Sequence, residues 1–294
     1  MVVVTSKSYE KESNVPMNNI GNRPVRVSVI IAAYGQEMYI KEAVESLQNQ
    51  TFQDWEAIIV DDGSPDNVLA IASTMSEADP RIKVFHTENK GVSAARNFAA
   101  DKSRGEYLLP LDGDDTIEPE YVGRCVELLD SDPDVDAVYC QWRCFGMDVK
   151  VPDVRYLDYE SLLLANSIFV TAMIRRKRFI EVGGFDETMR KGLEDWEFWI
   201  RYLDESSKVC QLPERLFNYR QKPVSRNSEA HRGTGPFDMQ MYILGKHKMV
   251  YDSHFGPPIT AMGSFKDARK YKRKYEKVFY RRLWKFLKGL LPGN

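Results

Sequence analysis

Several features that define common protein classes are missing from this sequence. It has no run of about 18 uncharged apolar residues, so no membrane-spanning helix is predicted. After four apolar residues the N-terminus turns polar and charged, unlike the continuous apolar region of a signal peptide. Four cysteines occur in 294 residues, and none forms a CxxC pair or lies near histidines at zinc-ligand spacing. We therefore expect a cytoplasmic protein with reduced, structural thiols.

Glycine-rich phosphate-binding motifs are also missing. Neither GxxxxGKS/T nor GxGxxG occurs, which argues against nucleotide triphosphatases and dinucleotide-dependent oxidoreductases. An EF-hand beginning at Asp112 is excluded because Ile117 and Gly123 fall where that calcium loop needs glycine and glutamate. Binding of a phosphorylated substrate would then depend mainly on a metal ion, with Lys90 or Arg96 nearby.

The residues that are present indicate an α/β domain. Hydrophobic residues make up 43% of the chain, which is enough for a sizeable core. Apolar runs rich in β-branched residues predict strands at 25–34, 55–63, 81–88 and 105–115, and later at 135–140 and 168–174. Helical spacing predicts helices ending near residue 48 and covering 66–77, 91–103, 158–165 and 193–205. Strands that alternate with helices indicate a parallel sheet.

This pattern also divides the chain. We expect a flexible tail over residues 1–23, one domain over residues 24–230, and a C-terminal extension over residues 231–294.

Five aspartates follow two of the predicted strands, at the point where each strand ends. Asp61 and Asp62 end the second strand, and Asp112, Asp114 and Asp115 end the fourth. The carboxyl ends of parallel strands meet at one edge of a sheet, where ligands bind in such folds. Ordinary turn chemistry is the alternative, since aspartate and glycine are common in turns. Clustered carboxylates repel one another unless a cation neutralises them, and hard oxygen ligands favour Mg²⁺ or Mn²⁺ over zinc.

Four segments of the sequence match motifs of a known family, namely VSVIIAAYGQEMYIKEAVESLQNQTFQDWEAIIVDDGSPD, NKGVSAARNFAADKSRGEYLLPLDGDD, GGFDE and LEDWEFWIRY. They resemble the family 2 glycosyltransferases of the GT-A fold, over about residues 25–225. The resemblance implies a Rossmann-like, mostly parallel central sheet with helices on both faces. It also implies an inverting enzyme that moves a sugar from a nucleotide-diphosphate sugar, with a UDP-sugar favoured, to an acceptor hydroxyl in glycan, polysaccharide or glycolipid synthesis.

The resemblance further implies roles for individual residues. The catalytic base is Asp195 in LEDWE, and the metal, Mn²⁺ or Mg²⁺, is held by a DxD-type set, namely Asp112, Asp114 and Asp115. The residues expected at the nucleotide are Ala33, Tyr34, Asp61, Asp62, Arg96, Asp112 and Gly113. Those expected at the acceptor and sugar pocket are Gly183, Gly184, Glu194 and Trp196.

Two motifs differ from those of many relatives. The first loop reads Ala32-Ala33-Tyr34-Gly35 in place of PxYN, and the QxxRW motif of processive synthases is absent, which favours addition of one or a few sugars. Saccharide, lipid-linked and protein acceptors all stay open. A catalytically inactive nucleotide-sugar-binding or scaffold protein of the same fold is the second hypothesis. A nucleotidyltransferase, which also uses acids and Mg²⁺ on an α/β sheet, is the third.

The candidates in the second half each have a structural alternative. Glu194 and Asp195 are adjacent, so on a helix they point about 100° apart and do not both face one substrate. Burial of Asp195 against aromatic residues would raise its pKa toward that of a general base. The alternative is an acid-rich helix start favoured by the helix dipole. Gly183 and Gly184 equally suit the end of a helix.

Three tryptophans and one histidine also have a structural alternative. Trp196 and Trp199 at helical spacing are more typical of a core than of stacking on a sugar, the other role considered for them and for Trp142. His231 is more typical of a surface residue than of a metal ligand.

The C-terminal segment carries a charge of its own. Residues 264–294 contain eleven Lys or Arg and two acids, a net charge of +9, which leaves −11 for residues 1–263 of a chain with net charge −2. Apolar residues recur there at helical spacing, which predicts a basic amphipathic helix. An anionic membrane surface, the acidic body of the protein or a second copy would each suit such a helix. Nucleic acid is not expected as a partner, because the body is acidic.

Overall fold

The computed structural model describes residues 25–147, 154–222 and 235–256. The strands are β1 (Val27–Ala33), β2 (Trp55–Asp61), β3 (Ile82–His86), β4 (Tyr107–Asp112), β5 (Thr116–Ile117), β6 (Val135–Gly146), β7 (Met173–Arg175) and β8 (Lys208–Gln221). The helices are α1 (Ile40–Gln48), α2 (Val68–Ala78), α3 (Val92–Lys102), α4 (Tyr121–Ser131), α5 (Tyr159–Leu164), α6 (Arg176–Glu181), α7 (Glu194–Tyr202), α8 (Gly235–Lys246) and α9 (Lys248–Phe255).

Among the helices of these ranges, none combines the length and the hydropathy of a membrane-spanning segment. Two compact units divide after Gln240, within α8. The predicted limits of the tail, domain and extension stay predictions, and the basic segment 264–294 lies outside the described residues.

The eight strands form one sheet, in the order β3-β2-β1-β4-β7-β6-β8-β5. Six of them run in one direction, while β5 and β7 run against the others. The predicted mostly parallel α/β sheet is therefore confirmed.

The centre of the sheet is buried on both faces, as the continuous apolar runs predict. Every residue of β1 and of β2 is buried. Because side chains alternate along a strand, Val29 and Ile31 pack on one face, in a cluster with Ile40 and Val44 of α1. Helix α3 packs on β1 and β2 without joining that cluster, so helices cover both faces.

The second half of the sheet differs from the expectations. The predicted strand at 168–174 is wrong in extent, because only its last two residues belong to β7. The apolar run before β7 is a partly buried loop in which Ala172 N–H donates to the Val170 carbonyl, 2.8 Å away. The Tyr121 hydroxyl donates to the Thr171 carbonyl at 2.6 Å. Side-chain and turn hydrogen bonds thus satisfy this backbone in place of a strand ladder.

Other elements extend or add to the predicted set. β6 runs six residues beyond the predicted end at residue 140. α4 and β8 were not predicted at all, and β8 mixes apolar with charged residues along its length, so it lacks the continuous apolar signal of β1.

Candidate active site

The carboxyl ends of three neighbouring strands bring the predicted acids to one edge of the sheet. In the pairing register, Ala33 at the end of β1 lies beside Asp61 at the end of β2. Ala32 lies beside Asp112 at the end of β4 on the other side. The two acid loops, about 50 residues apart in sequence, therefore flank the end of β1.

The loops that follow β1 and β2 are hydrogen-bonded to each other. Asp62 N–H donates to the Ala33 carbonyl at 2.9 Å, and Gly35 N–H donates to Ser64 Oγ at 3.2 Å. Tyr34 lies between these contacts with 52% of its surface exposed. Its ring is thus accessible at the edge of the sheet.

The two aspartates at the end of β2 are buried and anchored. Asp61 accepts a hydrogen bond from Ser64 N–H at 3.0 Å and contacts His86 Nδ1 at 2.7 Å. Asp62 accepts from the backbone N–H groups of Lys90 and Gly91, at 2.9 and 2.8 Å. Both carboxylates therefore shape the loops around the predicted nucleotide position.

The three aspartates after β4 form one cluster. One ligand oxygen from each of Asp112, Asp114 and Asp115 lies within 4.8 Å of the other two. Burial, followed by the charges of Asp114 and Asp112, raises the pKa of the Asp115 carboxyl well above its usual range. Burial and then Asp112 also raise the pKa of Asp114, although the Lys222 ammonium opposes this effect. The carboxylates of Asp112, Asp114 and Asp115 are therefore crowded together in a largely buried site.

Gly113 lies between these acids in a tightly packed position. A Cβ atom at this position would come within 2.6 Å of Gln36 Oε1 and 3.3 Å of Ala33 Cβ. Gln36 itself donates from Nε2 to Asp114 Oδ1 at 3.0 Å. The glycine thus lets the acid loop lie close against the start of the loop after β1.

Two basic residues at the end of β8 contact the same cluster, and neither is predicted there from the sequence. Arg220 N–H donates to Asp115 Oδ1 at 2.8 Å, and its Nε donates to the Asp114 carbonyl at 2.7 Å. The Lys222 ammonium forms an ion pair with Asp114. The signal was the basic ending of FNYRQK, but only the sheet topology places it beside acids about a hundred residues earlier.

Arg96 is fully buried on α3 and contacts two acids from different elements. Its Nη2 donates to Asp112 Oδ1 at 2.5 Å, and its Nη1 donates to Glu194 Oε1 at 3.2 Å. Burial alone would lower the pKa of the guanidinium, but the carboxylates of Asp112 and Glu194 outweigh burial and raise it. Arg96 is therefore a permanent cation between the β4 loop and α7.

The first turn of α7 is acidic and begins from an unusual backbone conformation. Leu193, its N-cap, has φ of 62° and is the one non-glycine residue with positive φ in the described ranges. Glu194 is 2% exposed and faces Arg96. Asp195 accepts instead from Asn166 Nδ2 at 2.9 Å. The two adjacent acids thus contact different partners, and the helix dipole favours both of them.

The residues predicted at the acceptor pocket make contacts that stabilise the fold. Gly184 N–H bonds to the Phe179 carbonyl and Gly183 N–H to the Ile180 carbonyl, both at 3.0 Å, which is the Schellman motif that ends α6. Trp196 is 8% exposed, and its indole N–H donates to the Leu162 carbonyl at 2.7 Å. Gly183 and Gly184 thus end a helix and Trp196 lies in the core. The role of these residues in an acceptor pocket stays a prediction.

The remaining candidate residues have no special environment in the described structure, or lie outside it. Trp199 is 1% exposed and belongs to the core, while Trp142 is half-buried and packs edge-on against Phe169 and Tyr219. The side chain of Lys90 is exposed. His231 lies outside the described residues.

The cluster of Asp112, Asp114 and Asp115 fits a divalent cation of the Mg²⁺ or Mn²⁺ type. Its donors are all hard carboxylate oxygens, and burial together with the like charges of neighbouring carboxylates raises the pKa values of Asp114 and Asp115. A bound cation would convert this repulsion into coordination.

A family profile matches more than half of the chain. Residues 28–191 match the profile "Glycosyl transferase family 2", and residues 149–249 match "Glycosyltransferase like family 2".

Two relatives illustrate the sequence similarity. EpsH of Bacillus subtilis (strain 168) is 43% identical over 117 residues, which are 40% of this chain and 33% of EpsH. Hyaluronan synthase of Pasteurella multocida is 36% identical over 201 residues, which are 67% of this chain and 20% of the synthase. The chain thus covers well under two thirds of either relative.

Solved structures share the fold. S. aureus TarS 1-349 in complex with UDP-GlcNAc gives a TM-score of 0.65 at 23% identity, covering 74% of this chain and 65% of that one. The mannosyltransferase PcManGT of Pyrobaculum calidifontis, in complex with GDP-Man and Mn²⁺, gives 0.55 at 18% identity, covering 88% and 84%. This likeness confirms the predicted fold class, apart from the C-terminal helix.

The electrostatic strain in the aspartate cluster predicts an unusual effect of Asp115→Asn. Because the pKa of Asp115 is raised in the folded protein, ionised Asp115 lowers the free energy of unfolding at pH 8. This destabilisation disappears as the pH falls through the folded-state pKa of Asp115 toward the unfolded-state pKa of about 3.9. In EDTA at pH 8 we expect the variant to melt about 2–4 °C higher than the parent, the shift for about 1 kcal/mol. The difference should shrink toward pH 5.

The same variant should lose the stabilisation that Mn²⁺ gives the parent protein, because one ligand has lost its charge. Asp101→Asn, at the exposed end of α3, serves as the control and should leave the melting temperature unchanged both in EDTA and with Mn²⁺. A variant that melts lower than the parent in EDTA at every pH would contradict this account of the cluster.

Proposed function

Because this chain belongs to glycosyl transferase family 2, we propose that it transfers a sugar from a nucleotide-diphosphate sugar to an acceptor hydroxyl. The observation that carries the proposal is the aspartate cluster at the end of β4, linked through Arg96 to the helix that bears Glu194 and Asp195. A donor diphosphate and an acceptor would meet between these two elements.

The donor side of the proposal rests on the loops after β1 and β2. Ala33, Tyr34, Asp61 and Asp62 would line the nucleoside position, and the exposed ring of Tyr34 and the two anchored carboxylates support this. TarS has been solved with UDP-GlcNAc and with UDP, and PcManGT with GDP-Man. We favour a UDP-sugar, since TarS has the higher TM-score of the two structures.

Asp112, Asp114 and Asp115 would hold Mn²⁺ or Mg²⁺ in this proposal. When bound, such an ion supplies positive charge that stabilises a departing diphosphate. Lys222 and Arg220 already bring positive charge to this loop from the end of β8.

Asp195 would act as the general base. Transfer with inversion is a direct displacement, which needs a carboxylate to take the acceptor proton on the face opposite the leaving group. Asn166 holds one oxygen of Asp195 at 2.9 Å and so limits its rotation. Gly183, Gly184, Glu194 and Trp196 remain our candidates for the walls of the acceptor and sugar pocket.

We place the reaction in polysaccharide or glycolipid synthesis. Hyaluronan synthase of P. multocida and chondroitin synthase of Escherichia coli are among the relatives. The absence of QxxRW favours addition of one or a few sugars. A protein of this fold that binds nucleotide sugars without turnover is the alternative.

The role of Asp195 predicts a separation of catalysis from binding. Asp195→Asn keeps the hydrogen bond from Asn166 but removes the base, so transfer should fall about 10²- to 10⁴-fold while nucleotide affinity stays unchanged. Activity is measured as nucleotide release from sugar donors, and affinity by calorimetry. Asp134→Asn, at an exposed turn before β6, is the control and should keep full activity. Undiminished transfer by Asp195→Asn would remove Asp195 as the base.

We also propose that residues 264–294 bind an anionic membrane surface, which would bring the protein to lipid-linked acceptors. The full chain should sediment with vesicles that contain phosphatidylglycerol and not with phosphatidylcholine vesicles, and 0.5 M salt should release it. Replacing Lys270, Lys274, Lys277 and Arg281 by Gln should weaken binding by about tenfold or more. Equal binding to both kinds of vesicle, or none at low salt, would contradict the proposal and favour contact with the protein body or a second copy.

A further inference from the structure

A cation that is buried between two carboxylates is stable there only while both ion pairs are intact. Arg96 is 1% exposed, so water cannot replace either carboxylate partner. Its guanidinium also lies over the Phe185 ring, 5.3 Å from the centroid, which limits its movement. Asp112 and Glu194 are therefore held on two sides of one rigid, planar group.

These two contacts join the elements that the proposed reaction must align. Asp112 belongs to the β4 loop with the metal-binding acids, and Glu194 begins the helix that carries Asp195. A displacement of either element would break a charge-assisted hydrogen bond to the buried guanidinium of Arg96.

We propose that Arg96 and Glu194 are a positioning pair, which orients Asp112 toward a divalent cation and sets Asp195 at a fixed distance from it. The proposal rests on the proposed function of this site. Arg96 acts on the donor through Asp112, since its own side chain has almost no accessible surface. Residues that orient a ligating carboxylate typically change metal affinity or activity 10- to 100-fold when they are replaced.

A second buried ion pair on the same helix shows what a purely structural role would look like. Glu197 is fully buried and receives two hydrogen bonds of 2.8 Å from Arg201. Arg201 also donates to the carbonyls of Val182 and Gly184, which secures the end of α6. The hydrogen bonds of this pair lead to the end of α6, so the pair is a matched control for burial, charge and helix.

The experiment compares Mn²⁺ binding by the full chain and its variants, with no donor present. Electron paramagnetic resonance or calorimetry gives the dissociation constant, and thermal unfolding gives stability. We expect Glu194→Gln to weaken Mn²⁺ binding about tenfold and Arg96→Lys about 10- to 100-fold. Glu197→Gln should lower the melting temperature but leave the Mn²⁺ dissociation constant within twofold of the parent value.

Kinetics provide a second readout, because α7 carries the base. At saturating Mn²⁺, Glu194→Gln should lower kcat about tenfold or more while the donor KM stays near the parent value. Glu197→Gln, assayed below its melting temperature, should leave kcat unchanged. If Glu194→Gln does not fold, Arg96→Lys, which keeps the charge and loses the planar fork, tests the same pair.

The outcomes separate this inference from the proposed function. If the parent binds Mn²⁺ and both Glu194→Gln and Arg96→Lys bind it equally well, the positioning role is overturned while the metal site stands. If the parent itself binds neither Mn²⁺ nor Mg²⁺, the metal site and the pair's role at it are overturned together.

Discussion

The buried guanidinium of Arg96 is the contact on which the arrangement of the site depends. A cation without access to water needs carboxylates on its open sides, and the fold provides one from the β4 loop and one from α7. The same contact gives Asp112 and Glu194 a partner of opposite charge. Removing either acid would leave charge uncompensated in the core, so the sheet edge and the helix are fixed relative to each other.

Around this contact, neighbouring elements add further constraints of the same kind. Arg220 and Lys222 bring positive charge from β8 to the acid loop, and Asn97, next to Arg96 on α3, donates to the Phe185 carbonyl and accepts from its N–H. Leu193 starts α7 in a left-handed conformation that residues with a side chain seldom adopt. Backbone strain of this sort persists only where surrounding contacts determine it, and it is common at functional sites.

The sequence was most informative where one physical rule decided the outcome. The central strands are buried on both faces, so their apolar runs were visible, and parallel pairing placed Asp61, Asp62 and Asp112 at one edge as predicted. Contacts made by distant elements were not visible. Arg220 lies 105 residues from Asp115, on a strand with mixed polarity whose pairing with β6 shifts register. The inward direction of Glu194 likewise depends on where α7 begins, which spacing alone does not fix.

The proposed donor and metal site can be tested by thermal unfolding of the full chain with UDP, GDP, CDP or TDP, each with Mn²⁺, Mg²⁺ or EDTA. A ligand that binds only the folded state raises the melting temperature, by an amount equivalent to about 2.7 kcal/mol at a hundred times its dissociation constant. A nucleotide-diphosphate donor site with a metal predicts a shift with UDP that requires Mn²⁺ or Mg²⁺ and disappears in EDTA. A folded protein that shows no shift with any nucleotide under any condition would contradict the account.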